Sequence, residues 1–152
     1  GVSSAASDVY KRQSQGHGSI ACEGCHGSTH AIWPGDASHA NDNLASTEVQ
    51  GHIGTIAECA TCHSTSSLAL TTNGPHGLHN INDPRWLSEN GHPAFYKKDP
   101  AGCQACHGSD LRGTVLSKAL ADRSFSVEGR VRAIPKGQAI GCYTCHNGPN
   151  GG

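Results

Sequence analysis

The chain has no methionine, and aromatic residues make up only 5% of its 152 positions. Without methionine no thioether can complete a metal's coordination, so a redox metal here must rely on histidine or cysteine. Hydrophobic residues reach 35%, which is thin for a self-supporting core of this length. No apolar stretch approaches the roughly 18 residues of a membrane-spanning helix, so a helical span is excluded. Charged residues are 15% of the chain and the formal net charge is −1, which leaves no basic surface for nucleic acid. Nor is there a spare cysteine: all eight fall into short motifs.

Those motifs are four copies of Cys-x-x-Cys-His: Cys22, Cys25 and His26; Cys59, Cys62 and His63; Cys103, Cys106 and His107; Cys142, Cys145 and His146. Cys-x-x-Cys alone also serves zinc sites and thioredoxin-like redox pairs. A histidine directly after the second cysteine, in every copy, is the pattern of covalent haem attachment. Two thiols form thioethers with the vinyl groups, and the imidazole becomes an axial ligand. The expected cofactors are therefore four covalently attached haems c. They also answer the poor composition, because four porphyrins supply the missing apolar surface. The fold expected is mostly irregular coil with short α-helices and one β-hairpin, wrapped around a haem stack. Without haem the chain should be largely unfolded. Eight ionised propionates and four ferric centres bring the net charge to about −5.

Residues 1–15 are expected to lie outside the working fold. Residues 3–13, SSAASDVYKRQ, read as a translated transposon-based sequencing adapter, the alternative being a disordered Ser/Ala-rich leader. Residues 16–152 are expected to form a single tetrahaem domain. The motif histidines are 37, 44 and 39 residues apart, with dissimilar segments between them, so the array is no solenoid repeat. Residues 53–64 suit a short helix, and Val115, Leu116, Ala119 and Leu120 lie at helical spacing within 111–123. Residues 125–134 alternate about Glu128-Gly129 and predict a hairpin. The tail after His146 is rich in glycine and predicts a flexible end.

Seven of the eleven histidines lie outside the motifs: His17, His30, His39, His52, His76, His79 and His92. That is a surplus over four vacant haem faces and favours four bis-histidine irons. His52 stands seven residues before Cys59 and His92 eleven before Cys103. His76 and His79 share a Gly/Pro turn able to bring two imidazoles to two irons. His52, His79 and His92 are expected as sixth ligands. His17 and His30 flank the first motif and, with His76, are further candidate ligands, whereas His39 has polar turn neighbours that suit a solvated loop. His30 sits about one turn after His26, on the proximal side of haem 1. It is expected to ligate an iron in a neighbouring copy of the chain, the alternative being haem 2 of its own. Trp33 and Trp86 suit porphyrin-edge packing, and Lys97-Lys98 a solvated pair. Arg112, Arg123, Arg130 and Arg132 suit either haem propionates or plain surface charge.

The segments CEGCHGSTHAIWP, QGHIGTIAECATCH, GPHGLH, CQACHGSDLRGTVLS and CYTCHNGP, spread over residues 16–149, resemble the extracellular multihaem cytochromes of metal-respiring bacteria and some archaea. Within these the likeness is to the tetrahaem OmcE-like cytochromes that polymerise into nanowire filaments. The resemblance implies bis-histidine ligation, alternating stacked and T-shaped haem pairs, mainly coil structure and a distal histidine donated between subunits. It further implies head-to-tail self-assembly, with other redox proteins or extracellular acceptors as partners. Location at the cell surface or beyond is expected, with the periplasm as alternative and an export signal upstream of residue 1. Electron transfer is the expected function. A multihaem reductase of nitrogen or sulfur oxyanions, or a soluble periplasmic shuttle, is the alternative; a reductase would need one five-coordinate haem beside general acids.

Overall fold

The computed structural model describes residues 17–27, 44–64 and 67–149. The leader expected at 1–15, His30, Trp33 and His39 lie outside the described residues. The chain divides into two compact units, residues 1–83 and 84–152, each taken here by itself. Both are mostly coil. Among the described residues the regular elements are four short helices, α1 (Cys22–His26), α2 (Leu44–Gln50), α3 (His92–Lys98) and α4 (Pro100–His107), and two strands, β1 (Arg123–Val127) and β2 (Arg130–Ile134). Single 3-10 turns cover Cys59–Thr61, Pro75–Gly77, Pro84–Leu87, Val115–Ser117 and Cys142–Thr144.

Local chemistry sets the bounds of these elements. In α4, Pro100 occupies the first turn and the Asp99 carboxylate accepts the Gly102 amide at 3.0 Å, capping the N-terminus. The helix stops at Gly108, whose left-handed φ of 87° no side chain would readily adopt. The expected hairpin forms, with β1 antiparallel to β2 and Val127 opposite Arg130. Both residues of its loop, Glu128 and Gly129, have positive φ, at 50° and 73°. That is the type I′ turn, whose twist matches the strands it joins.

Two expected helices do not form. Residues 53–64 carry only the turn Cys59–Thr61, because Gly51 and Gly54 hold φ at 81° and 119° and break the run. The Gln50 side chain then fixes the loop by donating to the His52 and Gly54 carbonyls at 3.0 and 2.9 Å. Over 111–123, Leu111 and Gly113 hold positive φ, so only Val115–Ser117 turns. Thr114 caps it, its hydroxyl accepting from Leu116 N while Ser117 Oγ accepts from Thr114 N, both at 3.0 Å. The predicted apolar stripe is thereby split. Val115 and Leu116 are 75% and 71% exposed, whereas Ala119 is buried.

Among the described residues the buried hydrophobic side chains are Leu111, Ala119, Val127 and Ile134, all in the second unit. They sit where the chain doubles back on itself. Ala119 N donates to Gln138 O, Ile140 N to Ser117 O and Cys142 N to Leu111 O, at 2.9–3.0 Å. At the last of these contacts Gly141 presses on the Leu111–Arg112 backbone so closely that a Cβ would stand 2.2 Å from the Leu111 carbonyl oxygen. Gly129, by contrast, has open space beside it. Gly129→Ala should therefore cost only its left-handed strain, about 1 kcal/mol. Gly141→Ala should cost more than about 2 kcal/mol, because backbone must move. Chemical denaturation of both variants measures this, and equal losses would contradict the packing described.

Candidate functional site

Each Cys-x-x-Cys-His motif sits on one tight turn: α1, the Cys59–Thr61 turn, the end of α4 and the Cys142–Thr144 turn. His63 N donates to Cys59 O and His146 N to Cys142 O, both at 2.9 Å, closing a helical turn across the motif. Such a turn puts the first and second cysteines on one side, with the histidine one turn beyond the first. No disulfide joins any of the eight cysteines. Burial raises the Cys25, Cys59, Cys103, Cys142 and Cys145 thiols above the ordinary value, which favours the protonated form.

Motifs come together in sequence order. In the first unit the first two adjoin: Ile56 N donates to Cys25 O at 3.0 Å, and Cys62, after burial, is the next influence raising Cys25. In the second unit the last two adjoin. Beyond burial, Asp99 and then Cys142 raise Cys103, and the Cys142 amide is bound by Leu111 O.

Imidazoles pair across these turns. His17 faces His63 with ring centroids 5.6 Å apart and the two Nε2 atoms at 3.4 Å. His26 faces His76 at 5.9 Å, and His92 faces His146 at 6.0 Å. In every pair one ring belongs to a motif and the other does not. A metal–imidazole bond is about 2 Å long, so two imidazoles on opposite sides of one ion stand about 6 Å apart between centroids. His26–His76 and His92–His146 stand near that separation, while His17 and His63 are closer, their Nε2 atoms 3.4 Å apart where an ion between them needs about 4 Å.

The supporting contacts select the nitrogen that each ring presents. A carbonyl oxygen only accepts, so an imidazole nitrogen bonded to it must carry the proton. His107 donates Nδ1–H to Ile140 O at 2.7 Å, and His92 donates Nδ1–H to Trp86 O at 2.8 Å. In the neutral rings Nε2 then holds the lone pair, as a metal ligand requires. The Trp86 carbonyl is presented by a turn in which Gly91 packs against it, a Cβ there meeting Trp86 O at 2.5 Å. Trp86 itself stacks on Phe95 with centroids 5.0 Å apart. His76 is aimed by strain: its φ of 56° is left-handed, which costs a non-glycine residue about 1 kcal/mol.

The expected ligands are thus sorted. His17, His76 and His92 each face a motif histidine. His52 does not: its Nδ1 lies 3.2 Å from Ile53 O and its Nε2 3.1 Å from Glu58 Oε1. Both partners are acceptors, and they hold the ring within its own loop rather than against a motif histidine. Glu58 is held in turn by Asn82 Nδ2 at 3.0 Å. His79 lies half-buried in the loop after Pro75–Gly77. Among the expected arginines, Arg130 and Arg132 line a cavity of about 400 Å³ with Tyr143, Thr144, Cys145 and His146. Arg112 stacks on Tyr143 at 4.0 Å from the ring centroid. Sequence reasoning missed Glu128, whose Oε1 stands 3.4 Å from His146 Nδ1. The readable signal was a glutamate in a turn position that favours asparagine or glycine.

Among the described residues no three His, Cys, Asp or Glu side chains gather around one point as a protein-only metal site would need. No helix there is long and apolar enough to cross a membrane. No family model, curated protein or solved structure matches the chain. The residues themselves must carry the functional argument.

Proposed function

We propose that the chain is an electron-transfer protein holding four covalent c-type haems, at least three of them between two histidines. The supporting observation is the pairing of His17 with His63, His26 with His76 and His92 with His146 at 5.6–6.0 Å. Haem iron draws four of its six ligands from the porphyrin and asks the protein for two, which is what such pairs provide. Tetrahedral zinc would ask for four protein ligands. The cysteines would carry the thioethers, and Arg130 and Arg132 would face propionates beside the fourth motif. When bound, haem supplies one-electron chemistry; the chain closes both faces of the iron, shuts out small ligands and sets the potential. A closed iron moves electrons and leaves no position for substrate, which favours conduction over oxyanion reduction. Self-assembly into an extracellular filament through His30, suggested by the family resemblance, belongs to the same proposal.

Holoprotein matured with its haem-attachment machinery should gain four haems by mass. Its low-spin absorption bands should not respond to carbon monoxide or cyanide. A chain that gains no haem, or a high-spin band that binds carbon monoxide, contradicts the proposal.

Axial pairing is tested separately. His17→Ala, His76→Ala and His92→Ala should each turn about a quarter of the haem absorbance high-spin and open it to carbon monoxide. The affected potential should rise, since the lost imidazole favours ferric iron. His52→Ala should leave all four haems low-spin. The reverse pattern, with only the His52 variant opening a haem, would overturn the assignment.

A further inference from the structure

The two motif histidines of the second unit face different acceptors. His107 gives its Nδ1–H to a neutral carbonyl, Ile140 O, at 2.7 Å. His146 buries its Nδ1 without a hydrogen bond in good geometry, yet a carboxylate oxygen of Glu128 lies 3.4 Å from it. Glu128 also pays for its position: at φ 50° it opens a type I′ turn where a left-handed glutamate costs about 1 kcal/mol. A turn needed for tightness alone would carry asparagine or glycine there. The carboxylate lies on the wall of the cavity shared with Arg130, Arg132 and Cys145. It is 61% exposed, which leaves the side chain room to turn toward Nδ1.

We propose that Glu128 is a positioning residue which accepts the Nδ1–H of His146 and lowers the reduction potential of the fourth haem below that of the third. This rests on the haem reading above. An anionic acceptor draws the Nδ1 proton and makes the imidazole more basic, so Nε2 donates more strongly and favours ferric over ferrous iron. The carbonyl behind His107 does the same more weakly, because it carries only a dipole. Arg132 lies near enough to Cys145 to offset part of the rise that burial gives its thiol, and its charge opposes the carboxylate through space. The hydrogen bond would act through the ligand itself, on the atom that binds iron.

The test is a spectroelectrochemical titration of the four-haem protein beside Glu128→Gln and Glu128→Gly. Glutamine keeps the size without the charge, while glycine also relieves the turn and so preserves folding. In both variants one of the four one-electron steps should move to higher potential, the other three holding and the spectrum staying low-spin. Superimposable titrations with four haems bound overturn the proposal, as does an equal shift of all four steps. Haem content, measured as pyridine haemochrome, separates these outcomes from failure of the haem reading. A chain that binds no haem overturns both.

Discussion

A neutral imidazole owns one N–H and one lone pair, and fixing the first fixes where the second points. Much of the second unit follows from this constraint. The Ile140 carbonyl can reach His107 only because Gly141 lets the chain press against Leu111 and Arg112 without a Cβ between them. The Trp86 carbonyl reaches His92 because Gly91 packs against it in the same way. Glycines here are spent on delivering acceptors to rings. The strained His76 serves the same end from the other side, turning a ring toward His26 where the backbone would rather extend.

Such a scaffold has little else to hold it. Four hydrophobic side chains are buried among the described residues, and the one fully enclosed, Ile134, is 1% exposed. Turns, caps and the doubled-back segments 115–120 and 137–142 supply most of the order, through backbone hydrogen bonds whose net worth in water is modest. A core that small does not offset the conformational entropy of ordering a chain of this length. On the proposed function the deficit has a physical answer. Porphyrins are large apolar plates, and covalent attachment would hold them at the turns where the chain is already closed. Exposed Val115 and Leu116 sit on the turn beside α4, apolar surface of the kind such a plate would cover.

The hairpin was legible because its cause is local: alternation on both sides of Glu128-Gly129, in a two-residue loop that tolerates positive φ. The coil was legible from glycine and proline. Helices over 53–64 and 111–123 were misread because apolar spacing says nothing about Leu111 or Gly54 adopting positive φ. That choice is made by tertiary contacts, Cys142 N on Leu111 O among them. The motifs themselves were plain. The placing of the other histidines was not, because nearness in sequence does not decide it. His52, seven residues from Cys59, is occupied by Glu58, whereas His17 reaches His63 across a separation of 46 residues. A local acceptor holds a nearby histidine in its own loop, and only the folded chain shows where one stands.

The intervals between motifs now acquire a meaning. The spacings of 37 and 39 residues lie within the two compact units, and the longest, 44, spans the division at Asp83 and Pro84. Each unit gathers two consecutive motifs and offers imidazoles from its own chain, His17 and His76 in the first, His92 in the second. Each unit thus holds a motif pair with at least one facing ring, on otherwise different elements. On the proposed reading two haems per unit would be close enough to exchange electrons rapidly inside it. Differences in what backs each proximal ring, a carbonyl for His107 and a carboxylate near His146, would then give that exchange a direction. A fold with almost no core can achieve this because direction depends on second partners of ligands, which turns can place as well as helices.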